Sequence, residues 1–307
     1  MMEIKQLRAI LAVHEKGSFS QAAELLGTVQ SNVSAHVARL ENELNAVLID
    51  RSTMRLTPEG EAVVSRAYRA ISEISAVWDD LRSLNATLSG TVRLGIIGTT
   101  ARWITPQLYT RLQETNPSIR LIVHDGTSTT LNQLLVTGRL DIGVMTLPAA
   151  SQELTSSPLF TEKIALVVPR NNDPFPEADS IPMSKLDNLD LLLPAPGTTF
   201  RSELEEVAAN FNITLKPAAE LDGIRLIASL AFDGNGLALL PISAVPAHLK
   251  DRIRLITVEG IAPRVVGLAW RLRSMPSAST KAVISLLEEI TAHMAEVQTD
   301  VLTHSDK

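Results

Sequence analysis

Two sets of residues in this sequence could do chemistry, and neither is a catalytic centre. The first lies between positions 30 and 39. Ser31, Asn32, Ser34, Ala35, Ala38 and Arg39 fall on one side of a helical pattern whose other side is Val33, Val37, Leu40 and Leu44. Successive helical residues turn by about 100°, so the apolar four return to one narrow stripe. Small and hydrogen-bonding side chains, in place of the usual Glu/Lys mixture, suit insertion into the major groove of duplex DNA, where base edges present donors and acceptors. The plain alternative is a helical bundle whose polar side meets water.

The second set is rich in hydroxyls. Thr99, Thr100 and Arg102 follow one predicted strand, Thr127 and Ser128 a second and Thr146 a third, while Thr198, Thr199 and Arg201 lie further along. Hydroxyls, free N–H groups and the helix dipole at such junctions favour a carboxylate or similar anion, and Arg102 adds charge if it points inward. Each hydroxyl taken singly is as readily an ordinary helix cap. The set gains meaning only if the fold gathers it around one cleft.

Other chemistries are excluded or unsupported. The chain has no cysteine, which removes disulfides, thiolate zinc sites and cysteine nucleophiles. Its six histidines show no metal-ligand spacing. There is no G-x-S-x-G, no P-loop, no G-x-G-x-x-G after a strand and no paired-carboxylate motif. Gly234-Asn235-Gly236 reads as a tight turn. We therefore expect no catalytic residues, no metal, no cofactor and no enzymatic activity.

A hydrophobic share of 45% and a charged share of 20% over 307 residues fit a soluble protein of two or three domains. The net charge of −6 argues against nonspecific coating of nucleic acid. Over positions 1–57, Lys5, Arg8, Lys16, Arg39, Arg51 and Arg55 are balanced by Glu3, Glu15, Glu24, Glu41, Glu43 and Asp50. The DNA reading thus rests on pattern, with the few cations converging on phosphates. The charged start lacks an apolar signal core and no stretch approaches a membrane span, so a cytoplasmic protein without a membrane partner is expected.

The elements that must position these residues follow from periodicity. Ile4, Leu7, Leu11 and His14, widened by Ile10 and Val13, form a helix ended by Gly17. Ser18 or Ser20 caps a short second helix holding Ala22, Ala23 and Leu26, which Gly27 closes, and the third starts near Gln30. Thr57-Pro58 opens a long helix. Along it Val64, Ala67, Ile71, Ile74, Trp78, Leu81 and Leu88, interrupted by Asn85, follow a heptad seam. A helix of this length needs something to cover its seam: a second copy, or the chain's own body. Ser89-Gly90 reads as a hinge.

Beyond it, strands at Val92–Ile97, Arg120–His124 and Asp141–Met145 alternate with helices, one opened by Thr105-Pro106 and one over Leu131–Val136. A second series has strands at Ile164–Val168, Leu189–Leu193 and Leu237–Leu240, with helices at Phe200–Asn210 and Ile224–Phe232. The strand Val265–Trp270 and a helix Thr280–Val297 close the chain. Such alternation predicts a parallel sheet with helices on its faces. Pro169 to Pro182 reads as a surface loop.

The head resembles the LysR family of bacterial transcription regulators. The pattern appears in order as Gly17-Ser18-Phe19-Ser20, Ala22-Ala23, Leu26, Gln30, Val33-Ser34, Leu40-Glu41, Leu44, Leu48, Arg51 and Leu56-Thr57. In the body, His124-Asp125-Gly126-Thr127-Ser128, Gly138-Arg139-Leu140-Asp141, Gly197-Thr198-Thr199 with Arg201, and Gly234-Asn235-Gly236 with Leu240-Pro241 have counterparts. Three departures stand out: Val29 where a serine cap is usual, so that either Thr28 caps or that helix end is weaker; Asn45 in place of glycine; and a wing about two residues short between Arg51 and Leu56.

The resemblance implies a winged helix-turn-helix DNA-binding domain (1–57), a linker and dimerisation helix with hinge (58–90), and an α/β effector-binding body (91–307). The body would have two lobes like a type-2 periplasmic binding protein, lobe I about 91–162 and 268–307 and lobe II about 163–267, the chain crossing near Glu162 and Gly267. Gln30, Ser31, Asn32, Ser34 and Ala35 would approach base edges of promoter DNA, and Arg39, Arg51 and Arg55 its phosphates. The hydroxyl set would flank a small-molecule effector, the long helix would pair in a dimer or tetramer, and RNA polymerase is a further partner. A cytoplasmic binding protein or enzyme without a DNA role, and an exported solute binder, are the competing readings.

Overall fold

A computed structural model describes residues 2–83, 88–246, 249, 251–297 and 301–303. The head is three helices, α1 (Ile4–Lys16), α2 (Phe19–Leu26) and α3 (Gln30–Leu44), followed by a short antiparallel wing, β1 (Ile49–Asp50) and β2 (Arg55–Leu56). Its core joins Leu7, Ile10, Leu11 and Val13 of α1 to Phe19, Ala22 and Ala23 of α2 and Val33, Val37 and Leu40 of α3. Ala22 is fully buried, as a close helix crossing requires. Glu3 and Gln6 form a capping box at the start of α1.

Both departures around α3 have local explanations. Val29 is the N-cap and offers no acceptor, while Thr28 accepts a bond at 3.0 Å from the side chain of Asn32. Thr28 therefore caps no backbone N–H, and of the two expectations it is the weaker helix start that holds. Asn45 ends α3 at φ 51°, a left-handed conformation that asparagine tolerates better than other non-glycine residues. The short wing is closed by Asp50, which accepts the backbone N–H of Ser52 at 2.8 Å and its hydroxyl at 2.6 Å. Those bonds hold the Asp50 carboxyl below its usual pKa.

Helix α4 (Pro58–Ser83) runs for 26 residues, about 39 Å. Thr57 Oγ1 accepts Gly60 N–H at 3.0 Å, the expected cap. Gly60 is required there, because a Cβ would collide with the Leu48 carbonyl oxygen. The expected seam does not act as one face. Val64 and Ala67 are buried in the head's own core, with Ile71 against it, and Ile74 is half-buried. Leu88 lies past the helix and packs on the body, and Asn85 falls outside the described residues. A polar side of α4 meets the body: Arg69 pairs with Glu153 at 3.0 Å, Glu73 with Arg271 at 3.2 Å, and Asp80 accepts Ala278 N–H at 2.8 Å. Val77, Trp78 and Leu81 remain exposed. The chain's own head and body thus cover part of the long helix, and the stretch with Val77, Trp78 and Leu81 stays uncovered.

The body contains two six-stranded sheets. The first lobe comprises β3 (Gly90–Ile97), α5 (Gly98–Thr115), β4 (Ile119–Gly126), α6 (Ser128–Val136), β5 (Ile142–Thr146) and β6 (Leu154–Glu162), completed by β13 (Arg264–Arg271), α9 (Ala278–Val297) and β14 (Val301–Thr303). The second comprises β7 (Ile164–Pro169), β8 (Ser180–Pro182), β9 (Asp190–Pro194), α7 (Thr199–Asn210), β10 (Lys216–Leu221), α8 (Ile224–Phe232), β11 (Leu237–Pro241) and β12 (Ile253–Glu259). The sheets are mixed rather than parallel. β3 pairs parallel with β4 and β5, but β13, returning from the other lobe, is antiparallel to β5 and β6. The first crossing falls at Glu162, as read; the second lies at 260–263, ahead of Gly267, because Arg264 already belongs to the first sheet.

Helix α5 starts at Gly98, directly after β3, with Pro106 inside it rather than at its opening. Strands β6, β8, β10 and β12 had no counterpart in the sequence reading. Each lobe has its own core, around Leu94, Ile104, Leu108 and Phe160 in the first and Leu166, Leu193, Leu204 and Leu239 in the second. Among the described residues, no helix is long and apolar enough to cross a membrane.

Candidate functional site

In the head, the polar side of α3 is presented outward. Gln30, Ser31, Asn32, Ala35 and Arg39 are exposed and Ser34 is half-buried, while Val33, Val37 and Leu40 behind them are 0% exposed. With Val29 as an apolar N-cap, the first-turn N–H groups of α3 lack a side-chain acceptor. A helix end of this kind readily receives a phosphate oxygen.

The wing cations differ from one another. Arg55 on β2 is exposed. Arg51 is exposed too, but it is engaged with the head, pairing with Glu41 at 3.0 Å and stacking over Phe19, 4.8 Å from the ring centre. The same Glu41 accepts the N–H groups of Leu48 and Ile49, at 3.0 and 3.3 Å, and so ties α3 to the wing.

In the body, a cavity of about 380 Å³ lies between the lobes, at strand ends and helix starts. Six of the nine sequence-predicted residues line it: Thr99, Thr127, Ser128 and Thr146 from the first lobe, Thr198 and Thr199 from the second. Thr127 Oγ1 accepts Thr130 N–H at 3.3 Å and Thr198 Oγ1 accepts Arg201 N–H at 3.3 Å, so both are also caps. Ser128 Oγ accepts Thr146 N–H, also at 3.3 Å. The starts of α5 and α8 have Ile97 and Gly223 as N-caps, and neither helix has a side-chain cap.

The other three do not line the cavity. Thr100, one residue and about 100° around α5 from Thr99, is fully buried with its hydroxyl unbonded. Arg102 is exposed and absent from the lining. Arg201 is only 6% exposed, its guanidinium bonded to Glu205 at 2.6 Å, and to the Pro194 carbonyl and Glu220 at 2.9 Å each. Its charge is consumed within the second lobe.

The charged groups that do line the cavity were not foreseen. Arg225, at the start of α8, pairs across the opening with Asp125 on β4. Beside them the hydroxyls of Thr129 and Thr199 meet at 3.0 Å, again joining the lobes. Arg264 bonds Glu162 through Nη2 at 2.6 Å and Nε at 2.8 Å, and donates to Thr99 Oγ1 at 2.8 Å. Glu162 and Arg264 are register partners on β6 and β13, the last residue before one crossing and the first after the other. Glu203 and Asp222 complete the charged lining. Burial raises the Glu203 pKa, opposed by the nearby charge of Arg264. The only sequence signal for Arg264 was a cation opening an otherwise apolar strand.

Comparison with known proteins bears on both regions. Residues 4–61 match the family described as bacterial regulatory helix-turn-helix protein, lysR family, and residues 85–292 the LysR substrate binding domain. A probable hydrogen peroxide-inducible genes activator of Mycobacterium leprae is 33% identical over 94% of each chain. The structure of a full-length OxyR variant from Pseudomonas aeruginosa aligns at a TM-score of 0.74 with 26% identity, covering 95% of both chains. That of full-length CbnR complexed with its target DNA aligns at 0.65 with 19% identity over 95% of this chain and 99% of the other, a likeness of fold. The chain belongs to the LysR family of transcriptional regulators, with the family's DNA-binding helix-turn-helix ahead of its effector-binding domain.

Proposed function

We propose that this regulator reads promoter DNA with the exposed face of α3: Gln30, Ser31, Asn32, Ser34 and Ala35 meet base edges, while Arg39, Arg55 and the open helix start meet phosphates. Arg51 serves mainly to hold the wing. The observation that carries this reading is a face of small polar residues anchored from behind by three side chains without solvent exposure. Residues 1–57 act as the head, 58–90 as the connector and 91–307 as the effector-binding body. Comparing the duplex sequences preferred by the intact chain and by a Gln30→Ala variant tests it.

The effector is a small molecule bound without covalent chemistry between the lobes, with an anionic group, most simply a carboxylate, on the helix starts. Relatives carry names that refer to hydrogen peroxide. This chain has no cysteine, hence no thiolate for a peroxide to oxidise, and it must respond by another route. Occupancy shifts the balance of lobe arrangements held by Arg225–Asp125 and Thr129–Thr199, and α4 passes this to the heads. Two copies pair through the exposed Val77, Trp78 and Leu81 of α4, which sets two heads on a two-fold site. RNA polymerase is the partner a promoter-bound regulator then meets. No catalytic step is assigned.

A further inference from the structure

The charges around the interlobe cavity narrow what can occupy it. Both arginines of the lining are already engaged, Arg225 with Asp125, and Arg264 with Glu162 and Thr99. Glu203 and Asp222 line the same cavity and make no ion pair or hydrogen bond among the described residues. Carboxylates therefore outnumber cations, and a dianion placed there would face uncompensated like charge. Burial raises the pKa of the half-buried Glu203, and the nearby charge of Arg264 offsets this only in part.

The helix starts at the same cavity favour an anion. Helices α5 and α8 enter from different lobes, and neither has a side-chain cap to receive its first N–H groups. Thr99, 2% exposed, accepts from Arg264 at 2.8 Å, so its own hydroxyl proton has no acceptor among the described residues and can be donated into the cavity. An amine alone would leave these donors unmatched, and a plain carboxylate would leave Glu203 and Asp222 unmatched.

We infer that the effector is a zwitterion of amino-acid size, its carboxylate on the open helix starts and Thr99, its ammonium on Glu203 and Asp222. This rests on the reading of the interlobe cavity as the effector site. It adds a positively charged group to the anion already placed there. The volume of about 380 Å³ accommodates an amino acid with a large side chain.

The test uses the intact chain and matched pairs that differ by the amino group: L-aspartate and succinate, L-valine and 3-methylbutyrate, L-phenylalanine and 3-phenylpropionate. Binding is measured by calorimetry on wild type, Glu203→Gln and Thr199→Trp, the last to fill the cavity. The expected result is that at least one amino compound binds about tenfold or more tightly than its partner, and that Glu203→Gln removes most of that preference. An unchanged unfolding midpoint would accompany it. Equal or tighter binding of the amine-free partners, or a preference untouched by Glu203→Gln, overturns the zwitterion while Thr199→Trp still blocks binding at the cavity. Failure of every compound to bind, or binding that survives Thr199→Trp, overturns the inference together with the effector-site reading.

Discussion

Arg225 in the first turn of α8 and Asp125 on β4 are ion-paired across the mouth of the interlobe cavity. The two side chains are 62% and 29% exposed, so the contact contributes little to folding. Arg225 also sits at the positive end of its own helix, which disfavours its charge and makes an anionic partner worth keeping. Under the proposed switching between lobe arrangements, the pair is expected to act on the spacing of the lobes more than on their stability.

Arg225→Ala should lower stability by no more than about 1 kcal/mol, a shift of about 2–4 °C in the unfolding midpoint. In small-angle scattering the same variant should show a more open ligand-free body. A large loss of stability with unchanged scattering would assign the pair an ordinary structural role.

Arg201→Ala tests the reassignment of a residue first expected to bind effector. The substitution removes bonds to Glu205, Pro194 and Glu220 and should destabilise the second lobe by about 1–3 kcal/mol in urea unfolding. Affinity for an effector that binds the wild type should stay within about twofold. Lost affinity at full stability would restore Arg201 to the site.

These corrections mark where the sequence stopped being informative. Hydroxyl residues at helix starts are fixed by the local backbone, so Thr99, Thr127 and Thr198 could be read directly, and most lie where local chemistry put them. A long cation goes wherever distant carboxylates draw it: Arg201 turns to Glu205 and Glu220, and no periodicity records Glu220 as a neighbour. Arg225–Asp125 and Arg264–Glu162 join residues 100 and 102 positions apart and emerge only from the two crossings. The face of α3 was legible because one stripe fixes both its sides. Strand β10, Lys216–Leu221, was not, since it is an edge strand with no buried alternation to betray it.

Pairing through α4 predicts a change of mass. Trp78 and Leu81 are 60% and 52% exposed in the single chain. Replacing both with glutamate should shift sedimentation from an oligomer to a monomer without unfolding either lobe. A native mass unaffected by the double substitution would place the interface elsewhere.

Asp141 supplies a pH dependence. Burial raises its pKa, and this outweighs the N–H of Arg93, the charge of Arg93 and the hydroxyl of Ser72. The folded chain holds that proton more tightly than the unfolded one, whose carboxylate titrates near about 4. The resulting stability is present below the unfolded pKa and is lost as pH rises through the folded one. The difference in unfolding free energy between wild type and Asp141→Asn should therefore fall as pH is raised from about 4 toward neutrality. A difference that grows over that range would contradict the sign.

The outward face of α3 is tested most directly by selecting preferred duplexes from a random pool, with wild type and Gln30→Ala compared at one salt concentration. The account predicts that Gln30→Ala relaxes the preference at one position of each half-site, by about 1–3 kcal/mol between best and worst base, with both lobes still folded. An identical sequence preference and affinity in the two proteins would contradict it.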